Sequence, residues 1–446
     1  MELKRIEKRR KAPYDGDLCR AIFPIYYLGK LCGVVPVRFY VNDARCAFRS
    51  LCVLILLLGA EIWGLWRDMK DGWEYSTRLK FRTAVIATCS DVLGVMSLTV
   101  VCIVGSPFRW KYLQLVINKL IEVDRKIGVS SAKKARRFTI CLTICSLVYL
   151  WFNSTLDFYS WSRKTKNVTI TGKGPINYAP LYVMYTVIIS TEIQYSVATY
   201  NIGQRFVRLN SSLKSMLETN NSKDDAIGYF RKFSETESKT YVSSISELIM
   251  VHSSLCDTVS LINAAFGVVL LAVTVSCLLH LVITPYFLIV QANEKHEWIF
   301  LVVQAGWCII HISRMLIIVQ PSYSTIEERT AVLVSQLLSC CFEADARREL
   351  EIFSLQLLHR PLEFSACGLF SLDRNLITSI AGVITTLLRT LLPQGFSLAR
   401  ECSIYRGCCN RRLRFLMRSL QQIIAATIFR QVQTFRSLTS HQVLRI

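Results

Sequence analysis

Asp91, Asp157, Glu192 and Arg314 are ionisable residues that stand inside or at the edge of apolar runs in this 446-residue chain. A charge in hydrocarbon costs about 2.5–3.5 kcal/mol even on insertion scales, so such a group pairs, snorkels or serves a site. Structural pairing is the ordinary account of Asp91 and of Glu192, which has Gln194 two residues on. Snorkelling to an interface is the ordinary account of Arg314. Near them lie side chains of the kind that line small-molecule pockets, which are mostly apolar with a few placed polar groups. These are Tyr149, Trp151, Tyr182, Tyr185, Thr284, Gln304 and Trp307, and with Asp91 they form the candidate ligand-binding set. Belt residues at a membrane interface are the plain alternative for Trp and Tyr. The chemistry is binding rather than bond-breaking. There is no HExxH, GxSxG, P-loop or GxGxxG, and the six histidines show no paired ligand spacing. The 17 cysteines include no CxxC pair, and many lie in apolar stretches, where they act as small hydrophobes. No enzyme activity, metal or cofactor is expected.

The elements that must hold these residues are membrane helices. The chain is 52% hydrophobic and only 19% charged, too few polar residues to coat two or three soluble domains. A membrane helix needs about 20 apolar residues. Seven runs qualify, at about 47–66, 81–105, 137–158, 177–203, 261–290, 298–320 and 369–392. Buried helices of a large soluble protein are a poor alternative, because at least four runs exceed about 18 residues with one or two charges at most. The expected fold is therefore all-α and polytopic. It has a basic N-terminal segment (1–46), a seven-helix domain (47–393) and a tail (394–446).

Charge sets the orientation. The net charge is +21, and ten Lys/Arg lie in the first 46 residues. The positive-inside rule then places the N-terminus in the cytoplasm. Loops 106–136, 202–259 and 321–366 fall on the same side, so that side carries 29 Lys/Arg against 9 on the other. Nucleic-acid binding is not expected, since the basic residues are not gathered on one soluble domain. The sequon at Asn167 falls in an outer loop, where glycosylation can occur, whereas those at Asn210 and Asn220 fall inside and read as chance. In this topology Tyr149, Trp151, Tyr182, Tyr185, Thr284, Gln304 and Trp307 all lie in the outer half. Segment 345–360 reads as an amphipathic helix, with Leu350, Ile352, Phe353, Leu357 and Leu358 on or near one stripe. It and 235–253 look like extensions of membrane helices into a packed cytoplasmic bundle. A transporter would show internal repeats, and none is visible. A G-protein-coupled receptor would place the N-terminus outside.

The stretch from Ala346 to Thr386 resembles the C-terminal signature of insect gustatory receptors. His359, Phe364, Ala366, Cys367, Gly368, Phe370, Leu372 and Asp373 occur in the family's order. Arg205-Phe206 with Leu209-Asn210, and His252, Leu255, Cys256, Asn263, Phe266 and Gly267, also look like that family. The resemblance spans roughly 20–386. It implies a ligand-gated cation channel that assembles as a homo- or hetero-tetramer, with the last helix of each subunit lining a central pore. Ile380, Ile384, Thr385 and Thr386 are then the pore or gate candidates. It implies a small-molecule tastant, a sugar or a bitter compound, bound in the outer half of each bundle. It also implies a plasma-membrane location in sensory neurons: dendrite, axon and cell body.

The end of the chain departs from the pattern. Leu387 stands where the family has Tyr, Arg389 interrupts the hydrophobic run, and Pro393-Gln394 stand where Gln-Phe is usual. Residues 394–446 hold nine Arg, no Lys and one acid, Glu401. Residues after Thr386 are expected to come from a shifted frame, a retained intron or an alternative exon.

Overall fold

A computed structural model gives the structure of residues 17–35, 44–70, 82–128, 132–166, 174–224, 235–291, 298–326, 330–340, 344–384 and 386. Asn167, Thr385, the side chain of Pro285 and the whole of 387–446 lie outside the described residues.

Eleven helices are described. They are α1 (Asp17–Leu31), α2 (Ala44–Lys70), α3 (Arg82–Val104), α4 (Ser106–Ile127), α5 (Ala132–Lys166), α6 (Ala179–Asp224), α7 (Glu235–Gln291), α8 (Trp298–Ile326), α9 (Thr330–Ser339), α10 (Ala344–His359) and α11 (Arg374–Ile384). A 3-10 turn, Gly174–Tyr178, leads into α6. Six of the seven expected spans lie within or nearly within α2, α3, α5, α6, α7 and α8; the seventh starts later than expected, because 369–373 belong to a hairpin and its exit, and its described helix is α11.

Length and apolar composition qualify α2, α5, α7 and α8 as membrane-crossing among the described residues. The bent pair α3–α4 adds a fifth if it counts as one span. Helix α6 does not qualify by composition, and the reason is its place. It is the central helix, and its polar residues Ser190, Thr191, Glu192, Gln194, Ser196 and Thr199 are all buried against neighbours. A helix wrapped by other helices need not match lipid on every face.

The stretch 106–136, read as a connecting loop, is mostly α4. It meets α3 at Gly105 with a 53° bend. The bend frees carbonyls in the last turn of α3, and Arg109 answers them, bonding Val101 O at 3.3 Å and Cys102 O. Helices α6 and α7 run on far beyond a bilayer's thickness, as 46 and 57 residues. Of the two expected extensions, 235–253 is continuous with a span as the first part of α7, whereas 345–360 forms the separate helix α10.

The extensions meet in a tight joint. Helix α10 buries Leu350 and Phe353 and half-buries Leu357, while Ile352 and Leu358 are exposed, so its apolar stripe is narrower than the sequence suggests. Gln356 donates to Ile249 O (3.4 Å), and Arg360 donates to Ser253 (3.0 Å) and Asp257 (3.1 Å) on α7. A two-stranded hairpin follows, pairing Ser365 with Ser371 and Ala366 with Phe370. Its central residues, Cys367 (φ 54) and Gly368 (φ 70), are both left-handed, as a type I′ turn requires. Asn263 clamps the hairpin entry: its Nδ2 donates to Glu363 O (2.9 Å) and its Oδ1 accepts Ser365 N–H (3.2 Å). Gly267 lets the hairpin approach, since a Cβ there would lie 3.0 Å from Cys367 N. Asp373 caps α11 by accepting Leu376 N–H at 3.1 Å. Phe364, Ala366 and Leu372 are fully buried beneath it. The conspicuous C-terminal motif is thus the joint that fastens the last helix to α7.

Candidate ligand site

One end of the bundle gathers the start of α6, the start of α8, the far end of α7 and the middle of α3. This layer brings together four of the eight candidate ligand residues: Asp91, Tyr182, Tyr185 and Trp307. Tyr182 stacks on Trp307 (6.3 Å between ring centroids, 13° between planes), and Tyr185 tilts against the same indole at 4.9 Å. Tyr182 donates to Asp157 Oδ2 at 2.7 Å, and Trp161 Nε1–H donates to Asp157 Oδ1 at 3.0 Å. Asp157, 3% exposed, thus anchors the rim of the aromatic wall.

Beneath the wall lies a buried polar layer. Tyr185 OH is 3.5 Å from Asp91 Oδ1 and 3.1 Å from His280 Nε2. Asp91 and His280 form an ion-pair contact. His280 stacks on His311 (4.3 Å), whose Nδ1 lies 3.3 Å from Arg314 Nη1. Arg314 donates from Nε (2.9 Å) and Nη2 (2.7 Å) to Glu192 Oε1, and both side chains are 1% exposed. Its guanidinium also sits 5.9 Å from the Tyr185 ring centre. Arg314 therefore does not snorkel. Its position on α8 turns it inward, where Glu192 satisfies it. Such a buried pair resists loss of either partner by about 3–5 kcal/mol, because the survivor is left uncompensated.

The other candidates sit apart. Tyr149 is half-buried and donates to Gly306 O at 3.3 Å, one residue from Trp307. Thr284 is buried near the end of α7, and Gln304 is half-buried on α8. Trp151 is 46% exposed and faces away from the bundle, so it does not line the site; α5 is apolar on most sides, and pattern gave no facing. Ile380 and Ile384 are buried members of the chain's own core. The exposed face of α11 carries Asn375, Thr378, Ser379, Gly382, Val383 and Thr386. The sequon residue Asn210 is buried and accepts a bond from Thr330 at 2.7 Å.

Sequence reasoning passed over His280 and His311, whose pairing spans 31 positions and two helices. It also passed over Glu61, fully buried in α2, although an acid within an apolar run was the available signal. Among the described residues no His/Cys/Asp/Glu group has the geometry to hold a metal ion. A cavity of about 270 Å³ opens elsewhere, between α7 and the segment after α10, lined by Asp257 and Arg360 among others.

The 7tm chemosensory receptor family model matches residues 22–392, six residues past the point where the motif resemblance stops. The chain is 26% identical over 413 residues to the gustatory receptor for sugar taste 43a of Drosophila melanogaster, covering 82% of this chain and 96% of that one. It is 28% identical over 229 residues to the putative gustatory receptor 28b of the same fly, covering 47% and 49%. Its fold is similar to that of the olfactory receptor OR5 from Machilis hrabei in complex with eugenol, with TM-score 0.61, 15% identity, and coverage of 83% of this chain and 97% of that one. By fold, helix content and family match, the chain belongs to the 7tm chemosensory receptors, as a member of the non-enzymatic insect gustatory receptor family.

Proposed function

We propose that this chain is a subunit of a tastant-gated, nonselective cation channel, tetrameric and with a cytoplasmic N-terminus, in the plasma membrane of sensory neurons. The carrying observation is the wall of Tyr182, Tyr185 and Trp307, backed by half-buried Asp91 and by buried His280, Glu192 and Arg314 at one end of the bundle. Stacked rings over polar groups suit a small molecule with both an apolar face and hydrogen-bonding groups. The rings touch one another, so a ligand enters by parting them. A sugar is the favoured class, because the relative of nearly equal length is a receptor for sugar taste. Aromatic faces suit planar bitter alkaloids as well, and these form the second arm of the test.

Calcium imaging of cells expressing this chain, and a version ending as the family usually does, decides the matter against a panel of sugars and alkaloids. A sugar-evoked signal is expected from the family-type ending, and little or none from the present one. Silence of both versions at the cell surface would sink the channel reading. The family match runs to residue 392, so the part proposed as foreign to the receptor starts after it, at 393–446; spliced transcripts encoding the present tail as the main isoform would sink that proposal.

A further inference from the structure

Cations crowd the start of α5. Lys133, Lys134, Arg136 and Arg137 fall within its first two turns, and no acid stands in the first turn to offset them. A cation at this positive end of the helix dipole costs stability. Among the described residues no acid pairs with any of the four. The acids at the end of α4 are taken: Asp124 accepts Arg205 Nε–H at 3.1 Å and Nη2–H at 2.6 Å, and Glu122 lies 3.8 Å from Lys126. Three more helices bring positive charge to the same place. Ala21 of α1 clusters with Ala135 and Tyr200, and Phe138 stacks on Tyr200 at 4.1 Å. Exposed Arg20 stands one residue from that contact. Helix α4 ends on exposed Arg125 and Lys126. Arg208 of α6 reaches the turn after it, where a Cβ on Gly128 would lie 3.3 Å from Arg208 Nη2.

Beyond this basic collar the outward faces turn apolar. On α5, exposed Lys133 and Arg137 are followed along one stripe by exposed Cys141, Ile144 and Val148. On α1, exposed Phe23, Tyr27 and Leu31 follow Arg20. The end of α1 meets a membrane helix, since Ser50 near the start of the span in α2 donates to Gly33 O at 2.6 Å. Orientation by charge needs cations on one side of the membrane, whichever helices carry them. It does not require four helices to converge on one spot. A cluster of Lys and Arg beside a membrane helix attracts anionic lipid. We propose that the collar binds the headgroup of a membrane lipid carrying more than one phosphate, with its acyl chains along the outward faces of α1 and α5. A headgroup of single charge would leave most of these cations unmet. A free polyanion would use the collar and leave the apolar stripes unused. The site is separate from the aromatic wall, and its test needs no tastant.

The experiment uses the full chain in micelles holding equal amounts of phosphatidylcholine, phosphatidylserine and phosphatidylinositol bisphosphate. Native mass spectrometry counts which lipid stays bound. Preferential retention of the bisphosphate lipid is expected. Each cation near a membrane surface is worth roughly fivefold in affinity. Arg136→Gln with Arg137→Gln should therefore weaken retention by at least about tenfold, whereas Lys133→Arg with Lys134→Arg should keep it. If the Gln variant does not fold, Arg125→Gln with Lys126→Gln, on the other side of the collar, takes its place with a loss of roughly fivefold or more. Equal retention of all three lipids overturns the proposal, and so does a preference that the Gln variants leave unchanged. Retention of the serine lipid as strong as that of the bisphosphate lipid overturns the requirement for several phosphates. Soluble inositol trisphosphate has the headgroup without the chains, and at equal concentration it should displace little of the bound lipid. Full displacement would make the collar a site for free phosphates and overturn the lipid assignment.

Discussion

The joint around Asn263 and the aromatic site around Tyr185 are both built on α7, and they use opposite means. The joint is held by backbone. Its clamp binds main-chain groups at Glu363 and Ser365, its turn needs two left-handed residues, and its close approach needs a glycine at 267. The site is held mainly by side chains: rings on rings, with charges shared across four helices. Backbone recognition tolerates few residue types at few positions. Side-chain recognition can be rebuilt from many combinations, which suits a surface that must differ from one ligand to the next.

That contrast can be broken at graded cost. Phe364→Ala empties a fully buried position under the hairpin and should cost about 3–5 kcal/mol, read as loss of monodisperse receptor in fluorescence size-exclusion. Arg314→Met should cost a similar or slightly smaller amount, about 3–5 kcal/mol, by stranding Glu192. The double change with Glu192→Gln should recover most of it. If the single and double variants melt alike, the pair does not carry the layer. Asn263→Ala removes two bonds to the hairpin and should lower stability by about 1–3 kcal/mol while leaving ligand potency unchanged. The reverse is expected at the site. Trp307→Ala or Tyr185→Ala should weaken agonist potency roughly tenfold, the equivalent of about 1.4 kcal/mol, with surface expression retained. Unchanged dose–response curves for both would move the site elsewhere. The smallest effect belongs to Trp151→Ala, within about 0.5 kcal/mol and without change in potency, because the ring faces away from the bundle.

The same contrast explains what could be read from the chain. The joint was visible as a string, because Phe364, Cys367, Gly368 and Asp373 are close in sequence and each answers a backbone demand. The long helices were visible as apolar runs, and Tyr182, Tyr185 and Trp307 as aromatics at matching depth. Facing was not visible. Helix α5 is apolar on most sides, so nothing distinguished inward Asp157 from outward Trp151. Whether Arg314 reached for the interface or for Glu192 depended on a rotation that charge alone does not reveal. His280 and His311 meet only because α7 and α8 run side by side. Ile380 and Ile384 were assigned from the family resemblance, which carries no information about which way α11 faces.

Helix α7 extends for 57 residues, about 86 Å at 1.5 Å per residue, nearly three times the thickness of a hydrocarbon core. His280 and Asn263 sit on this one rod, about 26 Å apart along its axis, with unbroken helix between them. A rod without a hinge cannot absorb a push locally. A ligand that displaced His280, as the proposed site would require, would thereby move Asn263 by tilt, slide or rotation, and Asn263 grips the segment that leads into α11.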